Sequence, residues 1–352
     1  MRMKIRIVTA IILILSTGQF CTGQEIHLEA DNLYSTRKLL STASMGMGNS
    51  IVIRSASALR GNLTITASDT NEISLTYYKK ARAEPKSSAV DYIDLIAVDL
   101  NTIPEGGRLE MRAPNPPPWE NGDYGMVEAE LIVPESCTVD IDAVYFDVEA
   151  TGPFKALVNT TSLGRLNVTD VTARLDLSTA NRRVTVEKIS SDISISTSNS
   201  TLVARDITSL TESAYFRNNG GDLLIDGFIG GINAKNSYGR IDITNFQPYG
   251  SKSYVRCTSG PIMINITKMS DGQLLVNNRY EDIELMIPID LSAVVSLAVD
   301  DGGRIEADDF LFETELVEPN RLNLITGNGD GLISGSIRGK GNIYVRGTDE
   351  GE

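Results

Sequence analysis

The chain has 352 residues, with 32 basic and 46 acidic side chains, a net charge of −14, one histidine and three cysteines. Such acidity repels nucleic acid and anionic lipid, and no Lys/Arg cluster offsets it locally, so nucleic acid is not an expected partner. One histidine gives no His/Cys cluster for zinc, and a Ser-His-Asp or Cys-His site would have to use His27, near the start of the mature chain.

The first residues, MRMKIRIVTAIILILSTGQFCTGQ, combine a basic start (Arg2, Lys4, Arg6), an apolar run from Ile7 to Leu15 and a small, polar exit. That order predicts a secretory signal peptide over residues 1–23, cleaved after Gly18 or Gly23. The run is shorter than the roughly 20 residues a spanning helix needs, and no later stretch reaches that length. The mature chain is therefore expected to be exported, to the periplasm or the cell surface, with no membrane span. Cys21 lacks the Leu-x-small context of a lipoprotein and leaves with the signal or lies at the frayed start.

Residues 24–134 read as a β-rich N-terminal cap region, with alternating pairs at Ile51/Ile53, Leu63/Ile65 and Ile73/Leu75. A proline-rich insert over 113–125, APNPPPWENGDYG, predicts an exposed loop. It carries the only tryptophan. Trp119 and Tyr124 are the candidate ligand-binding residues, able to stack on a sugar or a partner; the favoured alternative folds the loop back as a lid over a coil end.

From 135 to 346 a pattern apolar-x-apolar-x-x-apolar recurs, at Leu166/Val168/Val171, Val184/Val186/Ile189 and Leu202/Ala204/Ile207. It continues at Leu223/Ile225/Phe228, Ile241/Ile243/Phe246 and Ile264/Ile266/Met269, with Ser-Gly-Pro-Ile (259–262) able to align instead with Tyr-Gly-Arg-Ile (238–241). Alternating pairs such as Leu175/Leu177, Ile193/Ile195, Ala214/Phe216 and Ile232/Ala234 come between the copies. The gaps hold Ser, Asn, Gly and charge, and their Asn and Gly supply positive φ at tight corners. Period-2 alternation means strands. A unit of about 20 residues buries its apolar side only by stacking on its neighbours.

The expected fold is all-β: a right-handed parallel β-solenoid of about nine or more coils of roughly 18–23 residues, with 321–346 continuing the stack and an acidic tail over 347–352. The segments before Val139 and after Phe310 are the expected caps. Cys137 and Cys257 fall on inward positions about six coils apart, roughly 29 Å at the strand spacing, too far for a disulfide.

The signal pattern, NSIVIRSAS with LTITASDTNEISLTYYKKARAE, AELIVPES, and the repeats GGDLLIDGF and YGRIDITNF together resemble the DUF4097 family, bacterial proteins also labelled proposed adhesins with β-strand repeats. The resemblance covers Asn49 to about Arg346. It implies a parallel β-solenoid at the cell envelope with no established enzyme activity. The family's Ser-Gly-Asp-Ile turn survives in part at Gly221-Asp222-Leu223, whereas Arg182 and Ser200 stand where a glycine is usual.

No catalytic constellation stands out, and no cofactor or metal is expected. The function expected is that of an adhesin or an envelope binding and spacer module, with a polysaccharide or an envelope protein as partner. The alternative is a polysaccharide lyase or hydrolase using surface carboxylates, Asp300/Asp301 with Asp308/Asp309 beside Arg304, although Asp-Asp-Gly-Gly is also an ordinary β-corner. Gly327 to Gly331, GNGDG, resembles calcium-binding turns but occurs once, and reads as a turn. Of five Asn-x-Ser/Thr triplets, Asn62, Asn167, Asn199 and Asn265 are expected to face solvent and Asn159 to point inward.

Overall fold

A computed structural model describes residues 25–348, apart from 121, 211–212, 251, 270 and 309–312. The predicted signal peptide with Cys21, together with Asp309, Phe310 and the tail beyond Thr348, lies outside the described residues. Among the described residues every regular element is a strand apart from one helix, and most strand pairs are parallel.

The sequence beat is the strand register. Leu166 pairs with Val184, Val184 with Leu202, Leu202 with Leu223 and Leu223 with Ile241. Ile241 then pairs with Ile262, so Ser-Gly-Pro-Ile takes the Tyr-Gly-Arg-Ile position, and Ile262 pairs with Ile283. The intervening pairs make a second ladder, Leu177–Ile195–Phe216–Ala234–Val255–Val276. These side chains are buried in one core that runs from Ile51 to Val345. Like stacks on like within it: Phe228 and Phe246 are 5.9 Å apart, and each such ring contributes roughly 1.5–3 kcal/mol by burial.

The doubled polar step inside each first-ladder copy has a backbone cause. Asp170, Lys188, Asp206, Gly227 and Asn245 occupy its second polar position with φ between 52° and 70°. One left-handed residue bends the strand and returns the next side chain to the interior, as a bulge does. The strands Leu166–Ala180 and Val184–Ser198 pass through such bends and serve both ladders, as does Tyr145–Ser162 through a register shift between Thr151 and Phe154. At the corners lacking the usual glycine, Asn181 (φ 65°) and Asn199 (φ 52°) supply the left-handed residue one place before Arg182 and Ser200.

Both ends depart from sequential stacking. The strand Ser50–Ser55 lies between Gly106–Arg112 and Thr138–Asp142, and Leu59–Ser68 lies between Tyr124–Pro134 and Tyr145–Ser162. At the other end, Gly331–Ile337 is inserted between Gln273–Tyr280 and Ala293–Val299, and Ile343–Thr348 between Ile283–Pro288 and Ile305–Asp308. The expectation that 321–346 continues the stack is therefore corrected: its first strand, Arg321–Thr326, runs antiparallel on Ala293–Val299, and the rest enters the stack one layer earlier. Inward–outward alternation fixes which face a residue takes and is silent on which neighbour it meets. Antiparallel strands cover the open edges: Glu72–Arg82 lies on Tyr124–Pro134 and Ala97–Ile103 on Gly106–Arg112.

The helix, α1 (Lys86–Leu95), interrupts a region expected to be strand. Ala89 and Ile93, one turn apart, bury against Ala81 and Ala83. That i, i+4 spacing carried a helical signal in a segment too short for its period to stand out.

A polar column lies just inside the corners of the second ladder. Ser162, Thr179, Thr197, Asn218, Asn236, Cys257 and Asn278 follow one another in register, all buried. Asn236 Nδ2 donates to the carbonyls of Gly221 (2.9 Å), Gly239 (3.1 Å) and Arg240 (3.3 Å). Asn218 and Asn278 do the same one layer earlier and two layers later. These asparagines are interior donors that tie each corner to the next; they are not the positive-φ residues expected of the gaps. Cys257 interrupts the column, with its Sγ reaching Gly239 O at 3.4 Å. Asn159 points inward as expected and is 1% exposed, while Asn62, Asn167 and Asn199 are exposed and Asn265 is half-buried.

Candidate binding face

Four consecutive strands of the second ladder share an unusual composition. Ala214–Asn219 (AYFRNN), Ile232–Tyr238 (INAKNSY), Lys252–Ser259 (KSYVRCTS) and Gln273–Tyr280 (QLLVNNRY) contain no carboxylate in a chain with 46. Alternation turns Ala214, Phe216, Ile232, Ala234, Val255 and Val276 inward and leaves cations and tyrosines outside. Register then stacks the outer positions: Arg217 beside Lys235, and Lys235 beside Arg256. The parallel column next to it runs Tyr215, Asn233, Tyr254. Tyr215, Tyr238, Tyr254 and Tyr280 are 55%, 61%, 38% and 41% exposed. The sequence expectation that no Lys/Arg cluster offsets the acidity is corrected here. The cations stand 18 and 21 residues apart in sequence, and the register brings them together.

Among the described residues, Arg217, Lys235 and Arg256 take part in no ion pair. Several outward arginines elsewhere are matched, as Arg54 with Asp140 at 2.7 Å, Arg165 with Asp147 at 2.8 Å, Arg240 with Asp222 at 3.5 Å and Arg346 with Glu284 at 3.3 Å. Like charges about one strand spacing apart repel, so the cation column holds an electrostatic cost that an anion would relieve. The polar column supports it from behind: Arg217, Lys235, Arg256 and Asn277 each immediately precede a buried member, Asn218, Asn236, Cys257 or Asn278. At the end of the face, Arg256, Asn277, Arg279 and Arg338 line a shallow groove.

The sequence-predicted site residues fall elsewhere. Trp119 is half-buried, packs on the main core, and meets Tyr92 of α1 edge-on at 6.0 Å. Gly125 passes beneath it, where a Cβ would lie 2.7 Å from the indole, so the proline-rich loop folds back onto the N-terminal end. Tyr124 is half-buried with the Arg60 guanidinium 4.1 Å from its ring centroid. Asp300, Asp301, Arg304 and Asp308 are all exposed, with Asp301 (φ 53°) and Gly302 (φ 79°) forming the corner. The Asp330 carboxylate of the GNGDG turn accepts from Ser292 Oγ at 2.8 Å. His27 is exposed on an edge strand, and among the described residues no group of three or more His, Cys, Asp or Glu side chains is placed to hold a metal.

Cys137 and Cys257 are free and buried, six strand steps apart. Burial pushes the Cys137 thiol up to about 12 from 9.0, and it raises Cys257 in the same direction. The folded state therefore keeps a proton that the unfolded state releases. The thiol's contribution is whole below pH 9 and is lost as pH rises toward 12, at up to about 1.4 kcal/mol per pH unit. Urea melts across that range should fall more steeply for the native chain than for Cys137→Val. Neither thiol should react with a disulfide reagent at pH 8 until the chain unfolds; a fast reaction in the native state would contradict the burial.

No family model and no curated protein matches the chain. Solved structures align with it along most of its length. They include a proposed cell adhesion protein from Clostridium sporogenes ATCC 15579, with 9% identity over 89% of this chain and 100% of that one and a TM-score of 0.22. A proposed adhesin from Bacteroides fragilis NCTC 9343 shows 12% identity over 88% and 97% with a TM-score of 0.33. A proposed adhesin from Parabacteroides merdae ATCC 43184 shows 10% identity over 88% and 95% with a TM-score of 0.30. At these values the likeness carries no functional argument.

Proposed function

We propose that the chain is an exported binding module of the DUF4097 type, a right-handed parallel β-solenoid working in the periplasm or at the cell surface. It holds an extended polysaccharide or envelope-protein partner along a repeated outer face and performs no chemistry on it. The observation that carries this reading is the run of four carboxylate-free strands with exposed tyrosines and unpaired cations. A column of equivalent side chains engages a repeating ligand many times over, so weak contacts multiply without a deep pocket. Half-exposed Trp119 and Tyr124 offer a second, smaller aromatic contact at the N-terminal end. The sequence of the first 23 residues supports export, and no helix among the described residues is long and apolar enough to cross a membrane.

The test is retention and turnover measured together. The mature chain should be retarded in gels cast with its polysaccharide while releasing no reducing or unsaturated ends, with or without calcium. Release of ends that stops in Asp300→Asn or Arg304→Ala variants would overturn the non-catalytic reading.

A further inference from the structure

The binding reading leaves the ligand's chemistry open, and the outer face of the second ladder narrows it. Arg217, Lys235 and Arg256 follow each other at one strand spacing, about 4.8 Å, along the stacking direction. Tyr215 and Tyr254 stand in the neighbouring column two spacings apart, about 9.6 Å, with Asn233 between them. Arg217 and Arg256 are themselves two spacings apart, so this interval suits a cation and an aromatic platform under every other unit of the ligand, with Lys235 between.

A 1,4-linked sugar chain advances by about one strand spacing per ring. In a two-fold ribbon of β-1,4-linked rings, alternate rings present the same face. The carboxylates of those alternate rings also share one edge, two spacings apart, and meet Arg217 and Arg256 with Lys235 between them, while Tyr215 and Tyr254 lie under the same rings. Nucleic acid fits less well, because an extended strand spaces its phosphates more widely than the cations are spaced. On this basis we propose that the strands Ala214–Asn219 to Gln273–Tyr280 bind a linear β-1,4-linked polyuronate laid along the stacking direction, with the carboxylates of alternate sugars on Arg217 and Arg256, Lys235 between them, and the rings of those sugars on Tyr215 and Tyr254. The groove lined by Arg256, Asn277, Arg279 and Arg338 receives the next carboxylates of the same chain. The strands of the first ladder carry Asp226, Asp242 and Glu284, carboxylates that the second-ladder face lacks, which favours the polymer on this face.

This inference rests on the binding reading, and its test separates the two. The full mature chain is titrated with polymannuronate, with neutral β-1,4-mannan and with poly(dT), at low and high salt. Polymannuronate is expected to bind, and binding should weaken with salt. The triple variant Arg217→Glu/Lys235→Glu/Arg256→Glu, whose exposed side chains leave the core and melting temperature unchanged, should bind about 100-fold more weakly. Tyr215→Ser/Tyr254→Ser should weaken polymannuronate with little change in salt dependence. Equal binding of mannan and polymannuronate, undiminished in the triple variant, would overturn the polyuronate proposal and keep the binding module. Tighter binding of poly(dT) than of polymannuronate would overturn the proposal in favour of a nucleic-acid surface. Failure of every polysaccharide to bind would overturn both the proposal and the polysaccharide arm of the broader reading.

Discussion

Asn236→Leu lowers the unfolding free energy by about 2 kcal/mol, and Cys257→Asn raises it by about 1 kcal/mol. The two changes act on one column in opposite senses. Asn236 is fully buried, so by hydrophobicity alone leucine would be the better residue. Its Nδ2, however, bridges Gly221 O in one layer to Gly239 O and Arg240 O in its own. Leucine fills the space and removes the donors. Cys257 stands in the same column between Asn236 and Asn278 and holds Gly239 O only through a weak 3.4 Å thiol contact. An amide there would extend the ladder across the gap. Urea melts of both variants check the pair: a more stable Asn236→Leu would show that the column fills space and does not tie the corners together.

Gly341→Val is expected to cost about 3 kcal/mol, because the site forbids a side chain in two ways. Its φ is +148°, a conformation few residues with a Cβ adopt, and a Cβ there would lie 2.4 Å from Glu281 O. Gly341 sits between two corners: Glu281 N donates to Lys340 O on one side and Ile343 N to Arg304 O on the other. A Cβ at Gly303, in the facing corner, would lie 2.1 Å from Gly341 O. The same close approach recurs wherever corners stack: a Cβ at Gly239 would lie 2.4 Å from Gly221 O and one at Gly260 2.2 Å from Gly239 O. A Gly341→Val variant as stable as the native chain in urea melts would contradict this corner packing.

The periodic part of the fold was legible because burial and backbone follow the same period. Leu166, Val184, Leu202, Leu223 and Ile241 align by eye in the sequence and pair in the structure. The same alignment, applied to outward positions, would have brought Arg217, Lys235 and Arg256 together; the sequence reading followed only the apolar ladder and missed them. Asn218 and Asn236 were legible by parity, since each follows two inward residues at steps of two, but asparagine beside glycine reads first as a corner. The end insertions were not legible at all. Ile333 and Val345 carry the inward parity that any layer would accept, and only the crowding around Gly303, Gly335 and Gly341 selects their neighbours. The roles first assigned to Trp119 and Tyr124 rested on aromatic content within a loop, and folding back gives Trp119 a core partner in Tyr92, which the sequence places 27 residues away.

The charge arrangement also bears on solution behaviour. With a net charge of −14 the chain resists self-association in general, while the proposed polyuronate would be held on its carboxylate-free face by charge. Salt should therefore weaken ligand binding without lowering the melting temperature, since the fold rests on an apolar core.

Calorimetry with a graded series of β-1,4-linked uronate oligomers tests most directly whether one face holds an extended ligand along the stack. Affinity is predicted to climb with each added sugar until the oligomer spans Arg217 to Arg256 and the Arg279/Arg338 groove, and then to level off, with no new ends released. Affinity that is already maximal for a disaccharide, or oligomers that shorten during the titration, would contradict it.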